Sequence, residues 1–131
     1  MLSLPIYFTN TYKTKDDKTF LVGMNWFRNA HHHEQNKVKK YYHELIETHA
    51  ANLAKCKGTY TLDIQVYYKN SACDGSNIAS LMEKFVLDAL QQFEIVEQDN
   101  VKYHLGTTWS VAGQDKENPR CEIQIIHKES E

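Results

Sequence analysis

The chain has 131 residues, 41% of them hydrophobic and 24% charged, with a formal net charge of −2. That is the length of one domain able to bury a core, and the composition is globular, which excludes a disordered or collagen-like chain. No stretch approaches the roughly 20 apolar residues of a membrane-spanning helix, and the balance of charge lacks the basic excess common in nucleic-acid-binding domains.

In chain order, Leu2 to Thr9 alternates apolar and polar residues and predicts a strand. Thr11 to Lys18 is a polar turn or hairpin loop, and Thr19 to Met24 a second short strand. Asn25 to Gln35 is aromatic, basic and His-rich without a period, which predicts an ordered loop. From Asn36, apolar and aromatic residues at Val38, Tyr41, Tyr42, Leu45, Ile46, His49 and Leu53 recur at helical spacing, and Lys55 to Gly58 ends the helix. Thr59 to Lys69 is the cleanest alternating strand, and Asn70 to Ser76 a loop. A second long helix runs from near Ser76 to about Phe93 on the stripe Ile78, Leu81, Met82, Phe85, Ala89, Leu90 and Phe93. Glu94 to Asn100 connects it to a strand over Val101 to Ser110; Ala112 to Pro119 reads as a turn, and Cys121 to His127 as a final strand. The order β-β-α-β-α-β-β predicts a single α/β (α+β) domain over residues 1–131, a mixed sheet with two main helices packed on it. Met1 to Thr9 lacks the basic start of a secretory signal, so a cytoplasmic location is expected. Cys56, Cys73 and Cys121 lie far apart in the chain, fit that expectation as reduced thiols, and sit in no familiar nucleophile motif.

The chemistry concentrates between Asp74 and Asp99. Asp74, Ser76 and Asn77 surround the start of the second helix, where free backbone N–H groups and the positive end of the helix dipole favour a carboxylate. Such a carboxylate can hold a hard cation through oxygen; equally, Ser76 or Asp74 can simply cap the helix. Asn77, Lys84, Asp88 and Gln91 fall on one line of the helix, Lys84 and Asp88 each within roughly 20° of Asn77 at ~100° per residue. The line can be a solvated face with a Lys84–Asp88 pair contributing a few tenths of a kcal/mol, or the wall of a site. Asp99 follows Ile95 to Gln98 and precedes a strand. At a strand edge facing the helix start it would share a metal with Asp74; otherwise it is a turn aspartate in Gln98-Asp99-Asn100.

These residues resemble the RusA-type crossover-junction endonucleases, which resolve Holliday junctions. Asp74-Gly-Ser-Asn77, then Lys84-Phe-Val-Leu-Asp88-Ala-Leu90, then Asp99 follow that family's Asp-x-Asp-Asn motif, its Lys-x-x-x-Asp-Ala-Leu helix segment and its later aspartate. The likeness extends to Asn25-Trp26-Phe27-Arg28, to Tyr41-Tyr42 and to Arg120 through Ile126, so it covers most of the chain. It implies Mg²⁺, or Mn²⁺, held by Asp74 and Asp99 with Ser76 nearby, and a catalytic Lys84 with Asn77 and Asp88 in support. It also implies a homodimer that places two symmetric nicks in a four-way junction. The chain departs from the pattern twice. Ser76, a neutral and weaker ligand, stands where the second aspartate of the pair belongs. The interval from Asn77 to Lys84 is longer by about one helical turn, which keeps Lys84 on roughly the same face ~6 Å further along. Phage-borne relatives share both features.

Arg28, Lys37, Lys39 and Lys40, beside Trp26 and Phe27, form the best local candidate for a DNA-contacting surface, the other reading being an ordinary solvated helix start. His31, His32 and His33 match no metal-ligand spacing. Ser76 and the low net charge keep open two further readings: a branched-DNA-binding protein without hydrolysis, and a protein-binding regulator on the same scaffold.

Overall fold

The structure is a computed structural model and describes residues 1–128. Four strands form one mixed sheet: β1 (Leu2–Pro5), β4 (Thr59–Tyr68), β5 (His104–Gln114) and β6 (Arg120–Lys128), in the order β1-β6-β4-β5. β4 pairs parallel with β5 and antiparallel with β6, and β6 pairs antiparallel with β1. A separate hairpin joins β2 (Tyr7–Asn10) to β3 (Lys18–Leu21). Three helices complete the chain: α1 (Met24–Asn29), α2 (His32–Ala50) and α3 (Gly75–Gln92). The mixed α+β domain expected from the pattern is what the chain forms.

The core lies between one face of the sheet and the two long helices. Tyr60, Leu62, Ile64 and Val66 of β4 are all buried, as the alternation predicts, and they meet Ile78, Leu81, Met82, Phe85 and Leu90 of α3. α2 adds Val38, Tyr42 and Ile46, with Tyr42 stacked on Phe85 at 5.1 Å between ring centroids. The Tyr42 hydroxyl donates to the Pro5 carbonyl at 2.5 Å, so the buried ring carries its polar end to a partner. The opposite face of the sheet has no helix over it. There Thr108 Oγ1 donates to Asp63 at 2.8 Å and Ser110 Oγ to Gln65 at 2.9 Å.

The element boundaries differ from expectation in four places. The single strand over Leu2 to Thr9 is two, divided at Ile6: β1 joins the main sheet, and the chain then turns to build the β2–β3 hairpin. Pro5, which has no N–H to give, ends the edge strand β1. The loop over Asn25 to Gln35 contains α1 and the first turn of α2. Six residues are too few to show a 3.6-residue period, and α1 is held by tertiary contacts, Phe20 against Trp26 at 4.7 Å and Phe27 against Phe85 at 5.8 Å. α2 therefore starts at His32, its cap being His31, whose ring nitrogen accepts from the His33 N–H at 3.2 Å. Finally, β5 begins at His104 because Asn100 turns Val101 to Tyr103, its side chain accepting from the Lys102 N–H and its carbonyl from the Tyr103 N–H, both at 3.0 Å. The same strand continues through Ala112 to Gln114, so the expected turn is confined to 115–119.

Candidate functional site

Asp74 is the cap of α3. Its Oδ1 accepts from the Asn77 N–H at 3.2 Å and its carboxylate is exposed, while the following turn carries Ser76, also exposed. Capping and a cation-facing role are compatible here, because one oxygen satisfies the helix end and the other points outward without a partner among the described residues. Asn77 has a different task. Its side-chain oxygen accepts from the backbone N–H of Asn25 at 2.7 Å, and its amide nitrogen lies where a Cβ on Gly23 would stand, 2.2 Å away. Asn77 thus joins the first turn of α3 to the first turn of α1, and it positions the Asp74 loop.

The polar line of α3 does not act as one unit. Asn77 faces α1, and Lys84 is exposed. Asp88 is half-buried toward α2, in a shallow depression with Lys39, His43, Gln91 and Gln92. Lys84 and Asp88 form no ion pair among the described residues, where the ion pairs are those of Arg120 with Asp115 at 2.8 Å and Glu122 at 3.1 Å. Asp88 accordingly does not orient Lys84 in this structure.

Asp99 stands far from Asp74. It lies in the turn after α3, next to Gln98, whose carbonyl accepts from the Tyr60 hydroxyl at 2.9 Å. Burial, with the Asp99 charge adding to it, pushes that hydroxyl up to about 12. Tyr60 opens β4, whereas Asp74 follows its far end. The 18 residues of α3 separate the two carboxylates by about 27 Å of helix. The expectation that Asp99 faces the start of α3 is therefore not met within one chain, because α3 runs the full depth of the sheet between them. Neither carboxylate belongs to a group of three potential metal-ligating side chains among the described residues. Asp74 and Ser76 alone supply too few oxygens for Mg²⁺, which needs near-octahedral coordination, so the residues of one chain do not fit the ion.

The imidazoles of His31, His32 and His33 do cluster, with ligand atoms within 4.8 Å of one another. Their rings lie side by side, centroids 4.2 to 4.9 Å apart, and His31 has one nitrogen committed to the cap. They also crowd the positive end of α2, which disfavours a cation. The geometry is that of a helix start.

The basic residues are dispersed. Arg28 is exposed in the last turn of α1. Lys37 donates to Asn10 Oδ1, and the same Asn10, fully buried, donates to Tyr12 and Glu34. Lys37 thus fastens the hairpin to α2. Lys39 and Lys40 lie instead along the groove between α2 and α3, Lys39 about 160° around the helix from Lys37.

Two features beside Asp74 were not legible in the sequence. Trp109 lies against the site loop, its ring 2.7 Å from where a Cβ on Gly75 would stand. Lys69 sits 5.4 Å over the Tyr7 ring, and the Tyr7 hydroxyl, 3.6 Å from Cys73 Sγ, is pushed up to about 12, chiefly by burial. Strand alternation marked Trp109 and Lys69 as strand residues, but only pairing places them near residue 74. All three cysteines are free thiols. Burial pushes Cys121 up to about 12 and raises Cys56 as well, so neither offers a thiolate near neutral pH.

No helix is long and apolar enough to cross a membrane. No protein-family model, curated protein or solved structure matches the chain.

Proposed function

We propose that the chain is a structure-selective DNA endonuclease of the RusA type, cutting four-way junctions or other branched DNA with Mg²⁺ or Mn²⁺ as a homodimer. The observation that carries this reading is the Asp74-Gly-Ser-Asn77 turn. An exposed carboxylate is fixed at a helix N-terminus, and an asparagine is spent on holding that turn rather than on solvent. A divalent ion bound there would supply a Lewis acid for phosphodiester hydrolysis. No hydrolytic step follows from one chain alone, so the homodimer is a requirement of this reading. Lys84, exposed and unpaired among the described residues, is free to meet a phosphate. Lys39 and Lys40 are the better DNA-contacting lysines, since Lys37 is engaged with Asn10.

Incubation of the protein with a synthetic four-way junction and Mg²⁺, beside linear duplex, tests the reading. Paired nicks on the junction, lost in Asp74→Asn with binding intact, are expected. Unchanged nicking in that variant would sink the assignment. A second reading, a branched-DNA-binding protein without hydrolysis, draws on Ser76 and on the lone carboxylate each chain presents at α3. It predicts salt-dependent junction affinity with no nicks in either metal.

A further inference from the structure

β5 is an edge strand of eleven residues whose outer side has no partner in the chain. Natural edges are blunted by lysines, prolines, inward charges or bulges. β5 contains no Lys, Arg, Asp, Glu or Pro, in a chain that is 24% charged. Its two bulges, at Leu105 and Ala112, sit near the ends and leave Gly106 to Val111 regular. Trp109 and Val111 are in register with the buried Ile64 and Val66, hence on the helix side of the sheet. They lie one strand beyond the reach of α3, and they are 45% and 53% exposed. A strand of this kind is a template for another strand.

We infer that the outer edge of β5 pairs antiparallel with β5 of a second copy of this chain, and that this pairing sets Asp74 of one copy beside Asp99 of the other. The second part rests on the nuclease reading; the first does not. The direction of β5 argues for both. β5 runs parallel to β4, with His104 beside Tyr60 at the Asp99 end and Gln114 beside Tyr68 at the Asp74 end. An antiparallel neighbour reverses that order, so each Asp74 end meets an Asp99 end, twice about one two-fold axis. Each junction would gather Asp74 and Ser76 from one copy with Asp99 from the other, the oxygen set that a single chain keeps apart. Charge agrees with this sense. Lys102, exposed in the turn before β5, comes toward Asp74 of the partner subunit, whereas a parallel arrangement would set Asp74 against Asp74. The edge and the site are also in contact, since the turn at Gly75 rests on Trp109.

Light scattering after size exclusion reads the interface. The wild type should show the mass of two chains, and Trp109→Glu and Val111→Lys each the mass of one, with circular dichroism reporting that each variant stays folded. A one-chain mass for the wild type, or two folded variants that remain dimeric, would overturn the interface. The antiparallel sense is read by carbodiimide coupling of dimers assembled from ¹⁴N and ¹⁵N chains. Peptides carrying Asp74 and Lys102 should couple in mixed-isotope pairs, and their failure to do so overturns that sense. Mixed dimers of Asp74→Asn and Asp99→Asn read the shared site. Each homodimer should be inactive and the mixed dimer should regain one site of two, nicking one strand. A silent mixed dimer beside an active wild type would overturn the sharing. If the interface variants dissociate and the mixed-isotope coupling is found but nothing ever nicks DNA, the pairing stands and the nuclease reading falls.

Discussion

Asn77 does at one position what a longer loop would do elsewhere. Its oxygen holds the Asn25 N–H, its nitrogen fills the space left by Gly23, and its own N–H is taken by Asp74. The backbone of Gly23 is extended, with φ −151, so the requirement for glycine there is one of space. Asn77→Ala should destabilise the fold by about 1–3 kcal/mol, read by urea unfolding, because it strips a partner from the Asn25 N–H. Gly23→Ala should cost a similar amount, and less in the Asn77→Ala background; costs that simply add would refute the contact. Titration of buried groups gives a second test at this scale. Tyr60 and Cys121 both have values raised to about 12 in the folded chain, from ordinary values of 10.0 and 9.0. A group raised on folding contributes stability that is complete below its unfolded value and lost as pH climbs through the folded one. Thermal stability should thus fall from about pH 9 upward toward pH 12. Cys121→Ala should remove the part of that fall which begins first, and an unchanged profile would count against the buried thiol as its source.

Among the elements, the contact of α2 with α3 turns on Phe85, which meets Tyr42 at 5.1 Å and Phe27 at 5.8 Å, so it touches all three helices. Phe85→Ala should cost about 3–5 kcal/mol in chemical unfolding, the range for a large aromatic removed from a filled core. The hairpin is joined to α2 through a polar cluster. Asn10 is fully buried and shared among Tyr12, Glu34 and Lys37. Asn10→Ala should lower stability by about 1–3 kcal/mol, since it leaves buried partners unsatisfied. The lysines of α2 then divide by role. Removing Lys39 and Lys40 together should flatten the salt dependence of junction binding by about two in log–log slope, measured by anisotropy at several salt concentrations. Lys37→Ala should act on the melting temperature instead. A Lys37→Ala protein that melts as the wild type but loses DNA affinity would reverse that division.

Seen whole, the molecule is a sheet covered on one face, open on the other, and unfinished along one edge. The long helices and the strand over residues 59–68 were legible, because apolar residues at periods of 3.6 and 2 report one buried face without reference to anything distant. α1 was not, since a six-residue helix has less than two turns in which to show a period and is held by Asn77 and Phe85 from elsewhere in the chain. The break at Ile6 was hidden for a related reason: each half of Leu2 to Thr9 alternates correctly, but the halves belong to different sheets. Of the candidate site, the Asp74 turn was legible from local chemistry, for a carboxylate three residues before an asparagine at a helix start is a capping pattern. The grouping of Asp74 with Asp99 was not, because sequence spacing does not say that the intervening helix runs straight from one end of the sheet to the other. By itself the sequence determined which faces are buried, where the helices start and stop to within a few residues, and which carboxylates and lysines exist to be used. Only the tertiary structure decided which of them meet, and that β5 stands at an edge with Trp109 and Val111 uncovered. Periodicity is written residue by residue along the chain, whereas strand order and the two ends of a helix are fixed by packing between segments that the sequence holds far apart.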